Sequence, residues 1–588
     1  MKKRVLVLSA LAAVSVFSLG LLSGAQAAEG LTPGTYTGTA RGFHDDVTVE
    51  VVVDEEGIQS VAVTDCRETR FIADNAIYAL PEDIVAQQNI NVDAYSGCTI
   101  SSMAVKSAVK NALSEAGDIT PFQKEKEEAE AAEEELDTDV VVIGGGMAGL
   151  SAALTAKEAG ADVILLEKLD RLGGSTVLSG GFLYATGSPV NKDLDDDPEA
   201  MVEYWQMRAE GNANEDMLRI AAELSGETVA QLQDWGVVFS TTVVPTGTSP
   251  ALRGLYASNE EVDLAPTDGV DFIAPLAKKA EELGIQVMLG TAATELILED
   301  GEVKGVKAAS DDTDYTIRAG SVVIATGGFD HNKEMISQYS PEAEGFFSLA
   351  SPGNKGDGVA MAEAAGAATN FTGGVIGFKM IDITSHYIEG ANYLGWTGQL
   401  GVTNEGLRFG DETADYPIFC TELIDALKAG AEKFYLIVDS TNESFAGMAE
   451  LALAKNLAVK ADTLDELAEA AGIDADNLIV TVESYNGHAE AGDEDEYGRT
   501  GLTAVTTAPY YAVQIKPAIL GTMGGLLINE DSAVVNEEGE AIPNLYAAGE
   551  VANSAFFYKE YPASGSSIST CATFGRIAGR NAAANAAE

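Results

Sequence analysis

Three glycines with the spacing of a phosphate-binding turn are the strongest chemical signal in the sequence: Gly144, Gly146 and Gly149. The apolar run 140–143 enters them, a small-residue helix is predicted to follow, and a second apolar run, 163–166, ends on Glu167. Such glycines permit a tight turn and bring the N–H groups at a helix N-terminus close to a pyrophosphate, while the acid accepts the ribose hydroxyls. The segment therefore predicts a dinucleotide site, for NAD or FAD. The alternative is a glycine-rich turn in an ordinary α/β domain.

Further small-residue segments follow near predicted strand ends. They read LGGST at 172–176, SGG at 179–181, ATGGF at 325–329, GDG at 356–358, LYAAGEV at 545–551 and SSI at 566–568. Their order resembles the FAD-binding domain of the fumarate reductase and succinate dehydrogenase flavoprotein superfamily. The resemblance implies an α/β fold, in which a Rossmann-like FAD-binding domain in two parts, 138–369 and 506–588, carries an inserted α+β capping domain at 370–505. It also implies FAD contacts at Gly144, Gly146, Ala148, Gly149, Glu167, Gly174, Ser175, Gly180, Gly181, Thr326, Gly327, Gly328, Asp357, Gly549, Glu550, Ser566 and Ile568.

Residues 31–117 predict a small α+β domain, with strands at 35–40, 47–53 and 57–63 and helices at 74–87 and 103–113. Between the helices, the stretch DAYSGCT at 93–99 resembles the flavinylation motif of the FMN-binding domain in sodium-pumping quinone reductase subunits and secreted flavin reductases. In that family a flavin transferase links FMN through its phosphate to the motif threonine. This implies covalent FMN on Thr99, with Ser96 and Gly97 in the binding turn. Ser101 is a rival attachment point, and an unmodified helix-capping turn is the other alternative.

The remaining segments predict a tethered, exported protein. Residues 118–137 are rich in Glu, Ala and Lys and predict a charged linker, partly helical, that leaves the FMN-binding domain free to swing. Residues 1–27 combine a basic start, an apolar run and the small residues Ala25 and Ala27, which predicts a secretory signal peptide cleaved after Ala27. A membrane anchor is the alternative. We therefore expect an extracytoplasmic protein, at the cell surface or in the periplasm, with a membrane or extracellular electron donor.

The net charge of the chain limits the classes of partner that it can bind. The formal net charge is −57, which disfavours nucleic acid and anionic membranes as partners. A neutral small-molecule substrate is easier to accommodate than an anionic one, although a local basic pocket could bind an anion. The four cysteines follow no metal-binding or haem-binding spacing, so no metal is predicted.

Reduction of an activated double bond by a flavin requires groups that polarise the substrate and supply a proton. In fumarate reductases, by the same resemblance, arginine and histidine side chains bind the carboxylates and a further arginine donates the proton. Here the segment 404–416 places Tyr416 at the proton-donor position, 519–525 lacks the histidine before Thr-Met-Gly-Gly, and 556–565 lacks the second carboxylate-binding arginine. Fumarate is therefore a disfavoured substrate.

At these positions the sequence resembles the 3-ketosteroid 1-dehydrogenases and related steroid reductases. In those enzymes a tyrosine hydroxyl and a glycine N–H hold the steroid C3 ketone, which implies this role for Tyr561 and Gly565. A tyrosine in the position of Tyr416 exchanges the proton there. A phenol and a backbone N–H stabilise a developing enolate without an anionic substrate. The alternative for each tyrosine is a packing role.

Other polar residues near these segments are expected to be structural. Arg408 is predicted to pair with Asp411 or Glu412, and Lys559 and Glu560 are predicted to be solvated. His386 is a weak candidate for a substrate contact because its spacing fits poorly.

The sequence thus predicts an exported ene-reductase that passes electrons through FMN and FAD to the C=C bond of an α,β-unsaturated carbonyl compound. A 3-oxosteroid is the leading substrate candidate. The alternatives are an aryl-enoate reductase of the cinnamate or urocanate type, a 3-ketosteroid dehydrogenase working in the reverse direction, and a non-enzymatic flavin electron carrier.

Overall fold

The computed structural model describes residues 31–43, 45–68, 71–124, 131–190, 196–245, 252–258, 269–383, 385 and 390–587. The predicted signal peptide and His386 lie outside these residues. The strands are β1 (Gly34–Arg41), β2 (Asp46–Asp54), β3 (Gly57–Asp65), β4 (Ala132–Ile143), β5 (Val163–Leu166), β6 (Phe182–Tyr184), β7 (Phe239–Pro245), β8 (Leu252–Ala257), β9 (Gln286–Met288), β10 (Ala292–Glu299), β11 (Glu302–Ala309), β12 (Thr313–Ile324), β13 (Phe347–Ser348), β14 (Thr369–Asn370), β15 (Val375–Met380), β16 (Leu400–Thr403), β17 (Phe434–Val438), β18 (Ala458–Ala461), β19 (Tyr510–Thr522), β20 (Gly525–Leu526), β21 (Ala533–Val535) and β22 (Ala541–Ala547). The α-helices are α1 (Leu80–Gln87), α2 (Thr99–Ala116), α3 (Met147–Glu158), α4 (Pro198–Arg208), α5 (Glu215–Asp234), α6 (Val270–Glu282), α7 (Lys333–Tyr339), α8 (Asp357–Ala364), α9 (Tyr416–Lys428), α10 (Glu443–Ala454), α11 (Leu464–Ala471), α12 (Ala475–Ala491) and α13 (Ser566–Ala586).

The chain divides into two compact units. The smaller unit contains the described residues of Met1–Arg67, Ala76–Asp93 and Ile100–Lys126. The larger unit contains the described residues of Glu68–Asn75, Ala94–Thr99 and Glu127–Glu588.

The smaller unit is an antiparallel sheet, β1-β2-β3, covered by helices. The side chains of β2 alternate, so that Val47, Val49, Val51 and Val53 are buried on one face. Gly38 of β1 lies against the backbone of α2, where a Cβ would overlap the Ala108 carbonyl oxygen. A strand-to-helix contact this close fixes α2 on the sheet.

The larger unit is built on an eight-stranded sheet with the order β10-β11-β12-β4-β5-β9, to which β22 and β21 are attached through β12. Strands β4, β5 and β9 are parallel, and β12 runs parallel to both β4 and β22. A smaller sheet, β6-β8-β7, and the pair β14-β20 complete this part. The predicted α/β fold class is confirmed.

Both faces of the parallel sheet are covered, and β4 contributes apolar side chains to both. Val140 and Val142 pack into the core formed with α3, α5, α6 and α13, and Val141 and Ile143 pack into the core formed with β10, β11, β12 and α8. The continuous apolar run that the sequence shows at 140–143 has this two-sided burial as its cause.

Helix α13 packs backbone to backbone on α3. A Cβ at Gly575 or Gly579 would overlap the carbonyl oxygens of Ala148 and Ala152, respectively. The two glycines therefore allow α13 to approach the helix of the glycine fingerprint.

A six-stranded sheet with the order β13-β19-β17-β16, joined by β15 and β18, forms the remaining layer. Strand β19 pairs with β17 and β18 in its first half and with β15 and β13 in its second half. The predicted capping segment, 370–505, ends before β19, so this strand shares a sheet with a segment that the sequence assigned to another domain. The predicted linker also differs from the structure at residues 132–137, which form the first half of β4 and pair with β12 rather than forming a helix.

Among the described residues, no helix combines the length and the apolar character needed to cross a membrane.

The fingerprint turn provides a test of this packing. At Gly149 a Cβ would overlap the Gly144 carbonyl oxygen, so we expect Gly149→Ala to cost about 1 to 3 kcal/mol of stability and to lower the FAD content of the purified protein. FAD absorbance per polypeptide and the thermal midpoint measure both effects. Gly447→Ala is the control, because Gly447 lies within α10 with open space around it, and it should keep full FAD content. Full FAD occupancy in Gly149→Ala would contradict the packing.

Candidate active site

The glycine fingerprint forms the predicted strand–turn–helix. Gly144 has a φ of 109°, and Gly146 caps α3, in whose first turn Ala148 and Gly149 lie. A Cβ at Gly146 would meet only backbone atoms of Gly173 and Gly174, at 3.9 to 4.0 Å. The N-terminus of α3 thus faces the second glycine-rich segment, as a cradle for a pyrophosphate requires.

Glu167 closes the fingerprint turn. Its buried carboxylate accepts hydrogen bonds from the N–H groups of Gly145, at 2.9 Å, and Leu169, at 2.8 Å. Burial raises the pKa of Glu167, and these two hydrogen bonds oppose that shift. The acid therefore holds the turn in shape, and its contact with a ribose remains a prediction.

The other predicted FAD contacts border this turn. Ser175 accepts hydrogen bonds from the Ser351 N–H and the Asn354 amide, each at 3.1 Å. Asp357 begins α8 and forms an ion pair with Lys168. Two of these segments flank strands: Gly180 and Gly181 precede β6, and the segment Thr326, Gly327 and Gly328 follows β12. Gly549 packs closely on α3, because a Cβ added at Gly549 would lie 2.9 Å from the Ala148 Cβ.

Glu550 connects the cofactor segments with the stretch at 519–525. Its carboxylate accepts the Thr522 N–H at 2.6 Å and the Thr522 hydroxyl at 3.0 Å. Burial, together with the nearby Asp330 carboxylate, raises the pKa of Glu550 to about 8. Because Thr522 ends β19, Glu550 anchors that strand next to the FAD segments.

The residues present fit FAD. Two hydroxyl oxygens in the predicted contact set, Thr326 Oγ1 and Ser566 Oγ, are buried without a hydrogen-bond partner among the described residues. Burial of such groups without partners costs free energy, which a ligand recovers by hydrogen bonding. With the glycine cradle at α3, the fingerprint turn, Thr326 and the first turn of α13 would hold the dinucleotide.

Tyr561 is locked at the start of α13. Its hydroxyl oxygen accepts the Ser567 N–H at 2.8 Å, and the Gly565 N–H also faces this oxygen. Gly565 caps α13 with a φ of 87°, and Ser566 and Ile568 follow in the first turn. Burial above all raises the pKa of Tyr561 well above its ordinary value, so the phenol stays protonated. The Ser567 N–H thus orients the Tyr561 hydroxyl, and the contact of Gly565 with a substrate carbonyl remains a prediction.

Tyr416 lies at the start of α9 and lines a pocket of about 260 Å³. Its ring makes edge contacts with Phe378 and Trp396, at centroid distances of 5.1 and 6.2 Å. Asp415 caps α9 and accepts the Tyr416 N–H at 3.0 Å. The Asp415 charge also contributes to the raised pKa of Tyr561. One carboxylate therefore lies close to both predicted catalytic tyrosines.

Lys379 lines the same pocket from β15. Its ammonium group lies 3.8 Å from the centre of the Phe419 ring. Burial lowers the pKa of Lys379 to about 8, and the neighbouring acids, among them Asp415 and Glu412, partly oppose this shift.

Glu560 corrects a sequence prediction, because it is not solvated. It forms an ion pair with Arg208 of α4, and the two side chains are only 20% and 17% exposed. Arg208 also lowers the pKa of Asp415, although burial dominates that carboxyl and raises its pKa to about 6. Lys559, by contrast, is 57% exposed, as predicted.

Arg408 is a structural residue. It forms a bidentate hydrogen-bonded ion pair with Glu412, at 2.7 and 2.9 Å, and also binds Asp495. The predicted pairing with Glu412 is confirmed.

Sequence reasoning missed Asp415, Lys379 and Arg208 as site residues. For Asp415 a usable signal existed, because an acid directly before Tyr-Pro marks a helix start and hence the position of Tyr416. Lys379 and Arg208 carry no such local pattern.

The predicted FMN attachment point begins a helix. Thr99 is the first residue of α2, which starts before the predicted helix at 103, and Gly97 precedes it with a φ of 87°. Ser96 belongs to the same turn, and Ser101 is buried within the helix. Thr99 and Ser96 are exposed, so of the two candidate attachment points, Thr99 and Ser101, only Thr99 is exposed.

Comparisons with known proteins agree with this layout. Residues 139–568 match the family of FAD binding domains, and residues 42–114 match the FMN-binding domain. The chain is 33% identical over 576 residues to urocanate reductase from Eggerthella lenta, covering 93% of this chain and 92% of the relative. Both predicted flavin domains are confirmed.

Two solved structures resemble the larger part of the chain. The open conformation of a flavocytochrome c3 fumarate reductase is 28% identical, with a TM-score of 0.64, and the match covers 80% of this chain and 84% of that one. A 3-ketosteroid-Δ4-(5α)-dehydrogenase from Rhodococcus jostii, in complex with 4-androstene-3,17-dione, is 27% identical with a TM-score of 0.64, covering 76% and 97%.

Asp415 gives a pH-dependent test of the site. Burial raises the pKa of Asp415 from its ordinary value of 3.8 to about 6, so the folded protein binds this proton more tightly than the unfolded chain, and stability decreases as pH rises between about 4 and 6. Asp415→Asn keeps an N-cap but has no such proton. We expect the free energy of unfolding of the variant, relative to that of the wild type, to rise by about 1 to 3 kcal/mol from pH 4.5 to pH 7.5. Urea unfolding followed by flavin fluorescence measures this, with exposed Asp425→Asn as the control. An equal difference in stability between variant and wild type at both pH values would refute the raised pKa of Asp415.

Proposed function

The chain belongs to the fumarate reductase and succinate dehydrogenase flavoprotein superfamily, and we propose that it reduces the C=C bond of a neutral α,β-unsaturated carbonyl compound. The family establishes a flavin-dependent oxidoreductase acting on CH–CH bonds, with FAD and FMN as cofactors. The proposal concerns the substrate, for which a 3-oxosteroid is our candidate, and the residues that act on it.

The observation that carries the proposal is the hydrogen bond from the Ser567 N–H to the Tyr561 oxygen. With that oxygen engaged as an acceptor, the phenol proton is the part of the group that can be donated to a ligand. Its raised pKa keeps the proton in place at working pH. Tyr561 is therefore a fixed neutral donor, which suits a ketone oxygen and the negative charge that develops there as the double bond accepts a hydride.

The charges around the pocket support a neutral substrate. Lys379 and Arg208 are the basic side chains that act on Asp415, and Arg208 is already paired with Glu560. An incoming carboxylate would meet Asp415 and Glu560 as well as these cations. Like charges in a partly buried site repel, so an anion gains little there.

Tyr416 is the proposed proton donor. It lines the pocket, its side chain is buried, and its ring contacts the rings of Phe378 and Trp396. A phenol is a weak acid, and delivery of its proton to carbon is favourable only as the carbanion character of the substrate develops. Bound FAD supplies the hydride in this chemistry.

The route of the electrons is part of the proposal. We expect them to enter from a membrane or extracellular donor through FMN on Thr99, after attachment by a flavin transferase. Export of the mature protein, with cleavage after Ala27, is likewise proposed from the sequence.

An aryl-enoate substrate is the second candidate. It is favoured by the similarity to urocanate reductase and by two cations that act on Asp415, the buried Lys379 and the partly buried Arg208. A panel of steroid enones, cinnamate, urocanate and fumarate, assayed anaerobically with reduced viologen, separates the two. Fastest turnover of a carboxylate would overturn the neutral-carbonyl proposal.

Replacement of the proton donor tests the mechanism. We expect Tyr416→Phe to lower turnover of an enone by about 10²- to 10⁴-fold, because one general acid is lost, while reduction of both flavins by the donor continues. Stopped-flow absorbance separates flavin reduction from its reoxidation by substrate. The exposed Tyr393→Phe is the matched control and should retain activity. Unchanged reoxidation in Tyr416→Phe would remove this residue from the mechanism.

The attachment site is tested by mass spectrometry of the protein purified from a host that carries the flavin transferase. We expect Thr99→Ala to lose the FMN mass, because its hydroxyl is the proposed nucleophile, and Ser101→Ala to keep it. A covalent FMN mass in Thr99→Ala would transfer the assignment to another residue.

A further inference from the structure

The ion pair between Arg208 and Glu560 has features that a surface ion pair lacks. Both side chains are largely buried, and the Nε atom of Arg208 is buried without a hydrogen-bond partner among the described residues. A guanidinium group offers five N–H donors, and a buried one normally uses them. Arg208 therefore has donor capacity that Glu560 alone does not satisfy.

The position of Glu560 is fixed by the backbone. Lys559, just before it, has a φ of 56°, a conformation that is uncommon for a residue other than glycine, and Tyr558 and Glu560 form a bridge across it. The Lys559 backbone lies against Gly374, where a Cβ would come within 2.8 Å of the Lys559 Cα. This tight turn directs the Glu560 carboxylate to Arg208, one residue before Tyr561.

The pair borders the candidate active site, because Glu560 directly precedes Tyr561 and because Tyr204 of α4, the helix that carries Arg208, donates its hydroxyl to the Pro562 carbonyl oxygen at 2.8 Å. The Arg208 charge lowers the pKa of Asp415, and Asp415 in turn acts on Tyr561. A guanidinium group in this position is a carboxylate receptor, because its planar fork matches the two oxygens of a carboxylate. In this chain the receptor already contains a carboxylate.

We propose that Glu560 is a specificity-determining residue, a carboxylate of the chain itself that occupies Arg208 and thereby excludes carboxylate substrates. This inference rests on the proposed reduction of neutral carbonyl compounds and explains how a site with a buried arginine achieves it. An incoming carboxylate must displace Glu560 and leave its charge buried, which is costly, whereas a ketone leaves the pair intact.

Two ligands of nearly the same shape test the proposal, cinnamate and its neutral methyl ketone analogue, 4-phenylbut-3-en-2-one. Dissociation constants for the oxidised holoenzyme are measured from the perturbation of the FAD absorbance, so the result does not depend on turnover. For Glu560→Gln we expect cinnamate to bind about tenfold tighter or more than in wild type, since a charge-assisted hydrogen bond becomes available, and the ketone to bind within about threefold.

Glu210→Gln is the matched control. It removes the same charge from an exposed side chain that lies near Lys559, and it should leave both dissociation constants unchanged. Equal tightening of cinnamate binding in both variants would mean a general charge effect and would overturn the proposal. Unchanged cinnamate binding in Glu560→Gln, with full FAD content, would also overturn it.

A second variant, Glu560→Ala, covers the case in which Glu560→Gln does not fold, and we expect it to bind cinnamate about tenfold tighter than the wild type as well. The tighter binding depends on Arg208, so adding Arg208→Gln to either variant should remove it. Tightened cinnamate binding that persists without Arg208 would overturn the proposal. If the wild type reduces no enone but Glu560→Gln gains cinnamate binding, the proposed function fails while the role of Glu560 stands.

Discussion

The contact between α13 and α3 is the constraint on which the rest of the larger unit depends. At Gly575 and Gly579 the two helices meet without side chains between them. Helix α3 begins at the glycine fingerprint, and α13 begins at Gly565 and Ser566, next to Tyr561. A single backbone-to-backbone contact therefore sets the distance between the pyrophosphate cradle and the proposed carbonyl donor. Larger side chains at these two glycines would separate the cofactor turn from the reactive end of the site.

The second half of the site is set by helix capping. Asp415 starts α9 by accepting the Tyr416 N–H, and the same carboxylate lies among Lys379, Arg208 and Tyr561. A residue that forms a helix end is thus also the central charge of the pocket. Its neighbours come from three elements, α4, β15 and the segment before α13, which only the tertiary fold brings together.

Sequence reasoning succeeded where the cause is local. Strand β5 has the predicted limits because its four residues are buried on both faces and Glu167 ends the run. Helix α13 begins directly after Gly565, which has a left-handed conformation, so the SSI segment at 566–568 forms the first turn of the helix. The pairing of Arg208 with Glu560 could not be predicted, since the residues are far apart in sequence and a charge beside an exposed lysine usually indicates a solvated turn. The acidic segment at 132–137 was misassigned for a similar reason: its pairing with β12 depends on a strand that lies far along the chain.

Strand β19 is one unbroken stretch of 13 residues. Its first half pairs with β17 and β18, and its last residue, Thr522, donates a hydrogen bond to Glu550 beside the predicted cofactor segments. A hydrogen-bonded strand is stiff along its axis, so a movement at one end is passed to the other end and is not absorbed by bending within the strand. A displacement of the six-stranded sheet would therefore be transmitted along β19 to Thr522 and to the hydrogen bond that Thr522 donates to the Glu550 carboxylate.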